Sequence, residues 1–312
     1  MQAPIKPPDE AQRLRKLREL GLLDSFPDER FDRITRITRR LFDAPIALIS
    51  LVDEERQWFM SCLGLERSQS PRAISFCGHA ILGEGPMVMT DTLQDPRFSD
   101  NPWVLGEPRI RFYAGCPLRL HGGSGLGALA VMDTRARSVS REDLVALRDL
   151  AELVEHDLAA IEQALTDELT GLVNRRGFLM LGHQALRMCA RAQAPAVLAF
   201  FELEAPPRAG ASDDVALQTF ARHLRQAFRA SDVVARLGER SFVALATRAT
   251  EADMHVMAER LQPAGVAATG LQPLGLRTRL VSHGFLPDAE TQIAQLLQDW
   301  APLARDVARG AA

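Results

Sequence analysis

The chain has no surplus of basic residues, no long apolar run and few cysteines. Its 37 lysines and arginines are outweighed by 40 aspartates and glutamates, for a net charge of −3. It therefore lacks the cationic footprint on which nucleic-acid binding draws. The longest largely apolar stretch, Ala44 to Val52, falls well short of the ~20 residues a membrane-spanning helix needs. The N-terminal residues are polar and charged rather than signal-like. The expectation is a cytoplasmic protein with neither a membrane nor a nucleic-acid partner. The four cysteines, Cys62, Cys77, Cys116 and Cys189, contain no CxxC pair. That argues against a zinc site and against a disulfide framework, and no metal is expected from them. Cys77 and His79, in "SFCGHAI", are either a ligand or redox pair or a buried thiol beside a polar histidine.

What is present is an ordinary globular mixture, 46% apolar and 25% charged over 312 residues, a length comfortable for two domains. The segments "AQRLRKLRELGLLDS" and "DERFDRITRITRRLF" carry apolar residues three or four apart and predict two helices. Strand-like runs follow: "PIALISLVD", "RQWFMSC", "MVMTDT", "IRFYAGCPLRL" and "GLGALAVMD", with "GGSG" as a hairpin turn before the last. This pattern predicts an α+β domain over residues 1–139 with a mostly antiparallel sheet. After residue 168 helices and strands alternate, predicting a second, α/β domain over 169–312.

Between them, residues 140–168 read as one helix, with Ser140 as N-cap and Glu142 and Asp143 in its first turn. Leu144, Leu147, Ala151, Val154, Leu158, Ile161 and Leu165 follow one another at steps of three and four. Such a heptad seam favours a parallel dimer helix, the alternative being a helix packed on its own domain. Either way it makes a rod of roughly 40 Å, at 1.5 Å per residue.

The motifs "LGLLDSFPDERFDRITRITRRLFDAPIALISLVDEERQWF", "SFCGHAI" and "DTLQDPRFSDNPWVLGEPRIRFYAGCPL" make the N-terminal part resemble a GAF sensory domain. The resemblance implies an antiparallel sheet with helices, and a pocket for a small molecule whose identity it does not supply. Phe76, Cys77, His79, Trp103, Phe112 and Tyr113 are the candidate pocket residues. There is no counterpart of the Asn-Lys-Phe-Asp-Glu signature of cyclic-nucleotide-binding GAF domains. A bilin-attachment motif is missing too, since Gly78 separates Cys77 from His79.

From Asp167 onward, "DELTGLVNRRGF" and the hairpin "ASDVVARLGERSFVALA" resemble a GGDEF domain, the fold of diguanylate cyclases. The resemblance implies a nucleotidyl-cyclase-like α/β fold and, where the family is active, the joining of two GTP molecules into cyclic di-GMP. The family's Gly-Gly-Asp-Glu-Phe here reads Gly238, Glu239, Arg240, Ser241, Phe242. Phosphoryl transfer of this kind uses hard divalent cations held by carboxylates. Arg240 and Ser241 stand at the two acidic positions, and the arginine places a permanent positive charge where a cation would bind. Glu202 and Glu204 stand for the metal-binding strand end, and Pro206 and Pro207 remove N–H groups from the following turn. No asparagine follows Asn174, so none can read guanine in the family's way, and Asp306 falls where the family has a phosphate-contacting lysine. These positions are remnants. No catalytic residue, cofactor or metal is expected, and Mg²⁺ enters only under the alternative of an active cyclase with an atypical site.

"RASD" stands at the spacing of the family's inhibitory Arg-x-x-Asp. Arg229 and Asp232 are therefore candidates for binding cyclic di-GMP, the plainer alternative being that Asp232 caps a strand. The expectation for the whole is a signalling protein in which a GAF sensor, dimeric through the linker helix, regulates an inactive GGDEF-like domain. That domain would act by binding a protein partner or cyclic di-GMP.

Overall fold

In the computed structural model the apolar run Ile46–Val52 is buried along its whole length, and this decides the layering around it. A strand buried on both faces needs a layer on each side. The structure describes residues 1–121, 123–203, 213–261 and 278–299. The chain divides into two compact units, Met1–Ile161 and Glu162–Ala312.

In the first unit, helices α1 (Glu10–Glu19) and α2 (Glu29–Leu41) lead into strands β1 (Ile46–Val52), β2 (Arg56–Leu63) and β3 (Gln69–Pro71). A short helix α3 (Phe76–Ala80), strand β4 (Met87–Met89), helix α4 (Pro102–Leu105) and strands β5 (Phe112–Arg119) and β6 (Gly125–Asp133) follow. The six strands are ordered β3-β2-β1-β6-β5-β4, every neighbouring pair antiparallel. Ala47, Ile49 and Leu51 of β1 pack with α1, α2 and the long helix that begins at Arg141, while Ile46, Leu48 and Val52 pack with α3 and α4. On the first of these faces Glu10 is gripped by Arg13 at 2.7 and 2.9 Å and also by Arg72, and Arg13 donates to the Val52 carbonyl at 2.6 Å. This buried cluster pins α1 to the sheet.

Helix α5 (Arg141–Leu165) starts in a reciprocal cap, the Ser140 hydroxyl accepting from the Asp143 N–H at 3.0 Å and Asp143 from the Ser140 N–H at 2.9 Å. Its seam has a different use from the expected dimer. Leu147, Ala151, Val154 and Leu158 are all 0% exposed, buried in the core of their own unit with Leu17, Phe31 and Leu129. Ile161 is half-buried against the same core, Leu144 is half-buried, and Leu165 is buried within the second unit. Leu150 adds to the stripe, and Glu155 accepts the Arg119 N–H of β5 at 2.7 Å. The seam therefore packs within the chain, where it covers one face of the sheet.

The second unit has helix α6 (Arg175–Arg191), strand β7 (Ala196–Leu203), helix α7 (Asp213–Ala227) and the hairpin of β8 (Val233–Arg236) and β9 (Ser241–Thr247). Helix α8 (Glu251–Leu261) and strand β10 (Thr278–Phe285) follow. The sheet is ordered β10-β7-β9-β8 and antiparallel throughout. Helix α6 covers one face, over Leu198, Val243 and Leu245, and α7 and α8 the other, over Phe201, Phe242 and Ala244. Among the described residues no helix is long and apolar enough to cross a membrane.

Candidate functional site

The candidate site is the β8–β9 hairpin, and its frame is built from the backbone upward. Phe242 is fully buried, edge-on to Phe220 at 5.0 Å between ring centres, and this fixes the start of β9. The Leu237 N–H donates to the Ser241 carbonyl at 2.8 Å, and the Leu203 N–H to the Arg240 carbonyl at 2.9 Å. Arg236 then grips the turn from outside. Its guanidinium donates to the Gly238 carbonyl at 3.0 Å, to the Glu239 carbonyl at 2.8 Å and to both Asp167 oxygens at 3.2 Å.

Asp167 belongs to "DELTGL", and its own turn is tight. Its carboxylate accepts from the Thr170 N–H at 2.9 Å and hydroxyl at 2.6 Å, and Gly171 takes φ +68°, a left-handed conformation that suits glycine. Burial pushes the Asp167 carboxyl up, but the bonds from Thr170 and Arg236 outweigh it and hold the group below its ordinary value. The motif that follows α5 is thus joined to the signature hairpin through one arginine. The sequence reading missed this role of Asp167 and Arg236.

The polar side chains of the hairpin bond to carboxylates on neighbouring elements. Glu202 and Ser241 are cross-strand partners, and the serine hydroxyl donates to Glu202 at 2.7 Å. Arg240 reaches the first residue of α7 and bonds both oxygens of Asp213. Gly238 and Glu239 are exposed at the tip. This donor set does not fit a pair of hard cations. One carboxylate is bonded to a serine, another to a guanidinium, and that guanidinium brings its own positive charge. Among the described residues no group of three or more His, Cys, Asp or Glu is arranged to hold a metal ion. Glu204, Pro206, Pro207 and Asp306 lie outside the described residues.

At "RASD" Asp232 is used internally. One oxygen accepts the Arg229 N–H at 2.9 Å, and the other the Thr247 N–H at 3.0 Å and hydroxyl at 3.2 Å. Arg229 is exposed beside it.

In the first unit the six pocket candidates do not share one face. Phe76, Cys77, Trp103 and Tyr113 lie together under α3 and α4. Phe112 lies on the opposite face, in the core with α5, and Arg137 stacks over its ring. Neighbouring residues on a strand point to opposite sides, so Phe112 and Tyr113 cannot line one pocket. The cluster is filled by its own rings. Phe76 stacks on Phe98 at 4.8 Å and on Tyr113 at 5.4 Å, and the Tyr113 hydroxyl donates to the Cys77 sulfur at 3.4 Å. Burial pushes the Cys77 thiol up, away from reactive thiolate. His79 sits at the rim, edge-on to Phe98 with its Nε2 at 3.0 Å from the Gln2 carbonyl oxygen, and burial lowers its pKa. Phe98 and Phe59, whose ring lies 6.2 Å from that of Trp103, are aromatic members that the sequence reading missed.

Fold and hairpin together define a six-stranded antiparallel domain covered by helices, followed by a nucleotidyl-cyclase-like one. Residues 27–158 match the family model "GAF domain", and residues 164–269 match "Diguanylate cyclase, GGDEF domain". The chain carries an N-terminal GAF domain followed by a GGDEF domain. It is 45% identical over 177 residues to a Pseudomonas aeruginosa protein named as a cyclic di-GMP phosphodiesterase, a match covering 56% of this chain and 30% of that protein's length. Two solved structures are also similar. One is the coiled coil and GGDEF domain of DgcB from Caulobacter crescentus in complex with c-di-GMP, with 14% identity and a TM-score of 0.45, covering 54% of this chain and 92% of that one. The other is the GAF domain of an Acinetobacter phosphoenolpyruvate-protein phosphotransferase, with 18% identity and a TM-score of 0.38, covering 52% and 99%.

Proposed function

We propose that the chain is part of a cytoplasmic cyclic di-GMP signalling system, in which the GAF domain governs a GGDEF domain that does not condense GTP. The GGDEF domain acts by binding a protein partner or cyclic di-GMP itself. The Arg240–Asp213 bridge carries this reading. A helix N-terminus ordinarily favours a phosphate; at the start of α7 the Asp213 carboxylate and its guanidinium partner are already engaged with each other. The name of the Pseudomonas relative supports the cyclic di-GMP connection. Self-association has to use surfaces other than the buried α5 seam. Cyclic di-GMP at Arg229 and Asp232 would meet the arginine's exposed guanidinium, because the Asp232 carboxylate is engaged inside the fold.

An active cyclase with an atypical, Mg²⁺-dependent site is the second reading. The acidity kept at Glu202 and Glu239 favours it. Incubating the full chain with GTP and either Mg²⁺ or Mn²⁺, followed by nucleotide chromatography, separates the two. The expected result is unchanged GTP, and formation of cyclic di-GMP would overturn the favoured reading. Calorimetric titration with cyclic di-GMP, for wild type and Arg229→Ala, tests the effector role. Binding that weakens in the variant supports it, and no heat in either protein removes it.

A further inference from the structure

The GAF unit carries a groove of about 730 Å³ that shares no lining residue with the aromatic cluster. Its walls are the last two turns of α2, the start of β1 and the ends of β2 and β6. Its charge is one-sided. Arg36, Arg39, Arg40 and Arg135 face only two carboxylates, Asp43 and Asp133. Asp133 is engaged, with Arg137 at 3.1 Å and the Arg135 N–H at 3.0 Å. Arg36 is engaged with Glu29 at 2.5 Å. Arg39, Arg40 and Arg135 are exposed and make no side-chain hydrogen bond or ion pair with any described residue.

Arginines at a helix C-terminus commonly serve its last carbonyls. Here those carbonyls have other donors. The Thr38, Arg39 and Arg40 carbonyls accept from the N–H groups of Phe42, Ala44 and Asp43 at 3.1, 3.1 and 3.2 Å. Arg137 serves the Phe42 and Asp43 carbonyls at 2.6 and 3.1 Å. Three guanidinia against the one remaining carboxylate, Asp43, leave a surplus of two positive charges in a concavity. The chain as a whole is negative, so this surplus is local.

We propose that the groove binds a small anion bearing two or more phosphate groups, as free polyphosphate or as a nucleoside polyphosphate. Guanidinium forks match phosphate oxygens two at a time, and two surplus charges match a ligand with more than one phosphate. The volume lies within the ~300–1,000 Å³ of small-ligand sites. Pro45 and Leu63 line the same groove and add apolar contact.

The test is calorimetric titration of the full chain with sodium tripolyphosphate and, separately, with ATP. It compares wild type, Arg39→Gln/Arg135→Gln and the exposed control Arg187→Gln. The double variant removes side chains without partners, so its thermal unfolding should match wild type. Its affinity for tripolyphosphate should fall about tenfold or more, the control's should not change, and wild-type binding should weaken with salt. ATP binding that is equally sensitive to the double variant, and tighter than tripolyphosphate, identifies the nucleoside form. Equal affinities identify the polyphosphate moiety alone. The proposal is overturned if tripolyphosphate gives no heat or if the double variant binds like wild type. It is overturned equally if a deca-glutamate peptide competes as well as tripolyphosphate, because the groove would then serve an acidic protein segment.

Discussion

Leu158→Ala separates a core helix from a dimer seam. Leu158 is fully buried among Leu147, Val154 and the sheet of its own unit. The substitution deletes three carbons, about 2.4 kcal/mol at ~0.8 kcal/mol each. The cavity left behind adds to this, so the loss should reach about 3–4 kcal/mol, within the range of buried Leu→Ala changes. Urea unfolding followed by tryptophan fluorescence measures it. Trp58 and Trp103 both lie in the first unit, and Trp300→Phe removes the third reporter. The midpoint should shift by the same amount at protein concentrations a hundredfold apart, because the lost contacts lie within one chain. A midpoint that rises with concentration in the parent and not in the variant would refute the argument and restore the two-stranded seam.

Two further predictions concern charged clusters. Arg236→Met should cost the second unit about 1.5–3 kcal/mol, the range of one hydrogen bond to a charged group, since partial exposure keeps its several bonds from adding in full, and Arg236→Lys should not restore it, because an ammonium cannot span two carbonyls and a carboxylate. Hydrogen exchange of the Leu237 amide should quicken in the variant, and unchanged protection would count against the clamp. Burial pushes the Glu10 carboxyl up, but Arg13 and Arg72 outweigh it and bring it down to about 2 from an ordinary 4.5. Its stabilisation is therefore complete above about pH 4.5 and fades as the pH falls toward 2. The stability gap between wild type and Glu10→Gln should narrow over that window, and a gap independent of pH would disprove the linkage.

The longer strands and helices were legible because their periodicities are clean, whereas β3, α3 and α4, at three to five residues, are too short to show a period. The seam misled because spacing of three and four reports an apolar stripe and not what covers it. One available signal was Leu150 beside Ala151, which widens the stripe beyond a two-stranded contact. The alternation rule, applied to Phe112 and Tyr113, would have separated them without a structure. Asp167 and Arg236 are different. They lie 69 residues apart and meet because Val173 bridges to Ala235 beside β8. No local pattern carries that information.

The clamp also accounts for how the hairpin keeps its shape with altered contents. Arg236 binds the carbonyls of Gly238 and Glu239, and the Ser241 and Arg240 carbonyls are held by the N–H groups of Leu237 and Leu203. Residues 239–241 contribute backbone to this frame and no side chain. Phe242 supplies the anchoring side chain, and it is unchanged from the family signature that the sequence resembles. Side chains at 239–241 can therefore change at little cost to the turn, whereas changes at Arg236 or Phe242 loosen it. Preservation of the frame is evidence about folding alone. The chemistry has to be argued from what Arg240 and Ser241 bond to, Asp213 and Glu202, and both are carboxylates of the chain itself.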